Sequence, residues 1–258
     1  MPRYFLQIAY DGTEWHGWQI QPNAPTVQAE IARVLSLLLR HEVMPIGCGR
    51  TDTGVHARDF YLHFDSDNPL CLQRQHIVHR LNRMLPRSIV AFRIIPVADD
   101  ANSRFDAIAR TYTYYCITAK DPFMQGYAWH LPLCPDFELM NLAAEKLLNF
   151  TDFTSFSKLH TQTATNNCRI SNARWTTDNH HLNFTISADR FLRNMVRAIV
   201  GTLLEVGFHK IDMEGFSRII EGKDRQLAGM SVPACGLFLE KVTYPKGIFV
   251  SQSTKLPI

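Results

Sequence analysis

The stretch from Gly47 to Asp59, G-C-G-R-T-D-T-G-V-H-A-R-D, constrains this chain more than any other. It follows the apolar run Val43-Met44-Pro45-Ile46 and precedes the alternating run Phe60 to Asp65, so it reads as a loop between two strands. Gly47, Gly49 and Gly54 let its backbone turn tightly and pass close to a ligand without side-chain obstruction. Inside it Asp52 stands between the hydroxyls of Thr51 and Thr53, with Arg50 and Arg58 flanking. Cations within a few ångströms favour the ionised acid and lower its pKa, and a buried anion of that kind is a candidate nucleophile. An Asp between two threonines near a glycine also serves as a turn or cap residue.

The remaining elements set that loop in a recognisable order. Arg3 to Tyr10 reads as a buried strand ended by the turn pair Asp11-Gly12. Pro25-Thr26 opens a helix with Val27, Ile31, Val34 and Leu38 on one face and Thr26 as its N-cap. The two strands around the loop follow, then a helix over Leu72 to Met84 and a strand over Ile89 to Val97. Strand, helix, strand, strand, helix, strand is the order of a ferredoxin-like or RRM-like half. A second half repeats the plan loosely, with strands at Ala109 to Thr118, Cys168 to Trp175, Leu182 to Ala188 and Leu237 to Tyr244. Its helices read as Phe137 to Leu148, Phe191 to Val206 and Met213 to Glu221. The expected class is α/β, more narrowly α+β. Two halves, 1–104 and 105–258, form a mixed, mostly antiparallel sheet, in two sheets joined or facing, with helices packed on it and a central cleft.

At 258 residues and 46% hydrophobic content each half can bury a core. A net charge of +3 does not announce a nucleic-acid binder, but the cations are 19 Arg and 8 Lys, and guanidinium groups grip phosphates in a fork and stack on bases. Six cysteines, at 48, 71, 116, 134, 168 and 235, show no C-x-x-C spacing and read as reduced thiols. Eleven histidines form no H-x-x-x-H or H-E-x-x-H arrangement, so no metal is expected. Neither G-x-G-x-x-G nor G-x-x-x-x-G-K-[ST] occurs, so no nucleotide cofactor is expected either. With no signal peptide and no apolar run of membrane-spanning length, the reading is a cytoplasmic protein with no membrane partner.

The helix after Asp189 is the second informative stretch. Arg190, Arg193, Asn194 and Arg197 fall at helical spacing on one stripe, with Leu192, Val196, Ile199 and Leu203 opposite. A solvated basic face is the usual meaning of such a stripe. Arg197, however, is flanked by Val196 and Ala198, which argues for partial burial and an anionic partner. The polar stretch Lys158 to Asn167 reads as a surface connection or as a segment closing over nucleic acid.

G-R-T-D-x-G-V-H-A resembles the signature of the tRNA pseudouridine synthase A family, and further matches run through the chain in the family's order. They are Y-D-G-T-x-x-x-G-W-Q at Tyr10 to Gln19, R-F-x-A-x-A-R-x-Y-x-Y at Arg104 to Tyr114 and D-F-x-x-F at Asp152 to Phe156. M-V-R-x-I-V-G-T-L at Met195 to Leu203 and G-L-x-L-x-x-V-x-Y at Gly236 to Tyr244 complete them. Cys48 and Thr53 stand where the family has alanine, and Cys235 interrupts a small-residue run. The resemblance implies an isomerase that converts uridine to pseudouridine at positions 38 to 40 of tRNA, without a cofactor, as a homodimer. It also implies roles: Asp52 catalytic, Arg197 paired with it, Tyr112 against the uracil, and Arg50 filling the space of the flipped nucleotide. Arg58, Arg190 and Arg193 would then hold phosphates. Whether Asp52 attacks the sugar, attacks the ring or removes a ribose proton stays open. Rivals are an RNA-binding module without catalysis and a hydrolase pairing Asp52 with Asp59 or Asp65.

Overall fold

The computed structural model describes residues 1–67, 74–158 and 165–249, and at 74 and 75 the backbone alone. In chain order the first elements are β1 (Arg3–Tyr10), α1 (Val27–Leu39), β2 (Ile46–Gly47), β3 (His56–Asp65), α2 (Arg74–Met84) and β4 (Ile89–Pro96). Then come β5 (Ala109–Ile117), β6 (Trp129–His130), α3 (Phe137–Lys146), β7 (Ile170–Asp178), β8 (His181–Ala188), α4 (Met195–Gly207), α5 (Met213–Glu221) and β9 (Leu237–Thr243). The expected order of elements is present in both parts, with the two-residue β6 added. The start of the helix expected from Leu72 and the middle of the stretch Lys158 to Asn167 lie outside the described residues.

Among the described residues the strands form one nine-stranded sheet in the order β4-β1-β3-β9-β5-β8-β7, with β2 on β3 and β6 on β5. The two sheets expected to be joined or facing are thus joined edge to edge. The seam is a short parallel pairing, His56 opposite Phe238 and Ala57 opposite Leu239. Apart from this seam and the parallel β5 and β6, the neighbouring strands are antiparallel.

Local chemistry explains the element limits. Thr26 caps α1 by accepting the Ala29 amide, and Val27, Ile31, Val34 and Leu35 bury its apolar face. Val43 to Pro45, expected in a strand, is not one: the Val43 amide goes to Ser36 Oγ and the Pro45 carbonyl accepts from Gln28, so α1 side chains satisfy this backbone instead of a neighbouring strand. β3 begins four residues before Phe60, because β9 supplies partners for His56 and Ala57. The helix expected from Phe191 starts only at Met195, since Asn194 has φ +66° and breaks the helical path.

Two apolar cores flank the seam and exchange residues across it. One gathers Phe153, Phe156, Trp175, Phe184 and Phe216, and takes in Val55 from the loop before β3. The other gathers Phe5, Leu6, Ile8, Ile31, Phe60 and Phe64, and takes in Leu239 and Val242 from β9. Burial of each such side chain contributes about 1.5–3 kcal/mol.

His63 of β3 makes the fold sensitive to acid. Its buried ring accepts the Ser103 amide at Nδ1 (3.1 Å), which requires that nitrogen to carry no proton. Burial, with the nearby Arg3 charge second, lowers its pKa from 6.5 to about 4. The folded state therefore holds the neutral ring, while the unfolded chain takes up a proton below about 6.5. Stability present above that pH is lost as pH falls toward 4, by up to about 1.4 kcal/mol per unit. Urea unfolding across this window should show a shallower pH dependence for His63→Gln than for the parent; parallel curves would contradict the assignment.

Candidate active site

The loop carrying Asp52 is pressed against the segment that follows β1. A Cβ at Gly12 would lie 2.1 Å from the Val55 carbonyl oxygen, and one at Gly17, where φ is +84°, would lie 2.4 Å from that of Thr51. Only glycine permits both approaches. The Trp18 amide donates to the Thr51 carbonyl (3.2 Å), Gly54 to Trp15 (3.3 Å), and Thr51 Oγ1 meets Tyr10 Oη at 2.8 Å. The Val55 amide donates to the Asp52 carbonyl (3.2 Å), closing the turn on which the carboxylate stands. Behind it, buried His56 accepts the Gly12 amide at Nδ1 (3.0 Å) and donates from Nε2 to the Cys235 carbonyl (3.1 Å). Burial keeps the His56 pKa below its ordinary value, although Asp11 pulls the other way.

Two guanidinium groups face the Asp52 carboxylate. Arg197 Nη1 lies 3.7 Å from Oδ2 and Arg193 Nε lies 3.7 Å from Oδ1, with Asp52 27% and Arg197 21% exposed. These contacts are ion pairs longer than hydrogen bonds, so the carboxylate oxygens keep lone pairs for another group. Arg197 is held in place by its Nε, which donates to the Val232 carbonyl at 2.7 Å, while the Val232 amide donates back to the Arg197 carbonyl at 3.2 Å. Partial burial and an anionic partner are what the sequence predicts for this arginine.

Tyr112, on β5, packs edge-to-face on Phe191 with centroids 5.2 Å apart. Burial, then Cys48 and the Asp52 charge, push its hydroxyl pKa up against the opposing pull of Arg110, so the phenol is neutral and within the field of the carboxylate. Asp52 and Arg197 thus face one another, with Tyr112 within electrostatic reach of the carboxylate. Tyr114 and Tyr115 pack as expected, bonded to the Pro233 carbonyl and to Glu240. Trp18 is core, tilted against Phe60 at 4.3 Å, while His16 is exposed.

Other expected neighbours lie elsewhere. Arg58 does not flank the carboxylate: it pairs with Glu240 at 3.5 Å and lies over the Phe238 ring at 5.0 Å, because residue 58 belongs to β3 and not to the loop. Arg50 is exposed and makes no ion pair with Asp52; its charge acts instead on Arg104. Burial, and then the charges of Arg50, Arg110 and Arg190, lower the Arg104 pKa. Arg190 and Arg193 precede α4, so the expected stripe on one helix face is replaced by a bent segment from which Arg193 reaches Asp52. Asp59 is bonded to Gln7 (2.6 Å) and the Val242 amide (3.1 Å), and Asp65 to Arg3 (2.8 Å), so neither pairs with Asp52. Among the described residues no three His, Cys, Asp or Glu side chains cluster as metal ligands, and no helix is long and apolar enough to cross a membrane.

Sequence reasoning missed the supports of this site. Val232, which orients Arg197, comes from an irregular segment without motif or period. Phe191, whose spacing predicts a place in the helix, lies before α4. Arg110 stands in the Arg104 to Tyr114 motif, which by itself points to no partner.

Comparison with known proteins adds an independent line. A family described as tRNA pseudouridine synthase matches residues 143–245, which include Arg193 and Arg197. The chain is similar over nearly its full length to tRNA pseudouridine synthase A of Parabacteroides distasonis, with 51% identity over 249 residues, 96% of this chain and 98% of that one. It is 52% identical over 258 residues to the protein so named in Bacteroides thetaiotaomicron, covering 99% of this chain and 95% of the relative. The corresponding figures for the Porphyromonas gingivalis relative are 50% over 252 residues, 97% and 100%.

Proposed function

The chain belongs to the tRNA pseudouridine synthase A family, a family of tRNA-modifying isomerases, and from that premise we propose that it acts on uridines 38, 39 and 40 of the anticodon stem-loop with Asp52 as nucleophile. The observation that carries this reading is one carboxylate set 3.7 Å from two guanidinium groups, in the electrostatic reach of a neutral, partly buried tyrosine. The reaction breaks the bond from ribose C1′ to uracil N1 and makes one from C1′ to C5. C5 loses a proton and N1 gains one, so nothing is oxidised and no co-reactant is consumed.

In this proposal the target nucleotide leaves its helix at a cost of a few kcal/mol, and Arg50 fills the space it vacates. The Tyr112 ring supports the extruded uracil, a stacking contribution of about 1–3 kcal/mol. Residues 1–104 bring Asp52 and residues 105–258 bring Tyr112 and Arg197. Asp52, facing the guanidinium groups of Arg193 and Arg197, attacks the sugar carbon or the ring, as carboxylates attack sugars in retaining glycosidases. Arg58, Arg190 and Arg193 hold phosphates. The enzyme works in the cytoplasm as a homodimer.

The test is release of tritium from tRNA labelled at C5 of uridine, using transcripts with a single uridine at 38, 39 or 40. Purified protein without added cofactor should release it from each. No release from any of the three would overturn the proposal, and liberation of free uracil that still carries its tritium at C5 would support the hydrolase instead.

A further inference from the structure

Arg110 sits on β5 beside the site, and among the described residues no carboxylate pairs with it. Its guanidinium is instead filled by backbone. Nη1 donates to the carbonyls of Asp189 (2.8 Å) and Ala107 (3.2 Å), and Nη2 to those of Cys48 (2.8 Å) and Arg104 (2.6 Å). Four terminal N–H groups thus meet four carbonyl oxygens. Two of these acceptors are remote in sequence, Cys48 by 62 residues and Asp189 by 79.

Each remote acceptor lies within two residues of a cation. Cys48 precedes Arg50, and Asp189 precedes Arg190; Arg104 is itself an acceptor and lays its guanidinium over the ring of Phe105, which is 77% exposed. Carbonyl oxygens supply partial charge but do not neutralise a cation, so Arg110 adds its positive charge to this group. Like charges brought together repel: burial first, and then the charges of Arg50, Arg110 and Arg190, lower the Arg104 pKa, and a polyanion relieves that repulsion.

We propose that Arg110 is a positioning residue that ties three separate segments into one tRNA-binding surface, in which Arg104 and Arg190 take phosphates beside the exposed Phe105 ring and Arg50 is aimed at the place of the flipped nucleotide. The proposal rests on tRNA as the substrate. It requires the planar fork and not charge alone: a lysine ammonium presents three donors at a point and cannot hold four carbonyls around a plane.

The test is the salt dependence of tRNA binding by the parent and Arg110→Lys, measured by fluorescence anisotropy with labelled tRNA. Each phosphate contact contributes about 0.7–0.9 to the slope of log K against log salt. Although Arg110→Lys removes no charge, the slope should fall by at least about 1 and the Kd rise about tenfold or more at 0.15 M salt. An unchanged slope, with or without a lower melting temperature, would overturn the proposal and reduce Arg110 to a fold anchor. If the variant does not fold, the parent decides by nitrogen-15 NMR of its arginine side chains. Arg110 Nη protons should be resolved and slow to exchange at neutral pH, and rapidly exchanging, averaged signals would overturn the proposal. A parent that binds tRNA but releases no tritium would defeat the synthase reading alone, whereas a parent that does not bind tRNA would defeat both.

Discussion

Asp52→Asn should lower tritium release by on the order of 10⁴-fold, the scale expected when a nucleophile is removed, while tRNA affinity changes by no more than about threefold. The side-chain shape is kept and the turn is held by backbone, through the bonds at Thr51, Gly54 and Val55, so the loop should survive the change. What disappears is the negative charge. With it go the ion pairs to Arg193 and Arg197, leaving two cations that attract RNA slightly more strongly. Single-turnover release and anisotropy on the same protein separate the two effects. Binding and turnover lost together would assign Asp52 a structural task.

Arg197→Met should slow turnover by about 30- to 1,000-fold, corresponding to roughly 2–4 kcal/mol for removing one member of a partly buried charged pair. Methionine keeps most of the apolar stem, so the packing of α4 is retained. The carboxylate, however, loses one of its two cations, and the Val232 carbonyl loses its Nε donor. That unsatisfied carbonyl should also cost about 1–3 kcal/mol of stability, visible in urea. Arg197→Lys should recover the charge but not the anchored geometry, and so regain only part of the rate. Turnover within tenfold of the parent for Arg197→Met would contradict the role given to this ion pair.

These residues differ in how openly the sequence displayed them. Arg197 was legible because a charge between Val196 and Ala198 on an apolar helix has to find an anion. Asp52 stands out in a loop stocked with glycines and bounded by strand-like runs, but that pattern fits a turn residue equally, and its catalytic role comes from the family resemblance. The start of α4 was not, since residues 191–194 continue the apolar period and only the backbone of Asn194 departs from it. Arg58 misled for a related reason: its distance from Asp52 along the chain is short, but β3 begins between them under the influence of β9. Arg110 stands in the Arg104 to Tyr114 motif, but nothing there points to its partners, because they are main-chain carbonyls, which every residue type possesses.

The parallel seam of His56 and Ala57 with Phe238 and Leu239 bears on how the protein is made. Synthesis runs from the amino end, so the polypeptide bearing Asp52 emerges well before the strand that completes its surroundings. Until residues 237–243 leave the ribosome, His56 has neither its ring neighbour Phe238 nor the carbonyl of Cys235. A nascent chain can therefore organise much of its first core early and still present an unfinished centre. The strand that closes the seam is thus made late, and it carries neither of the arginines that face Asp52.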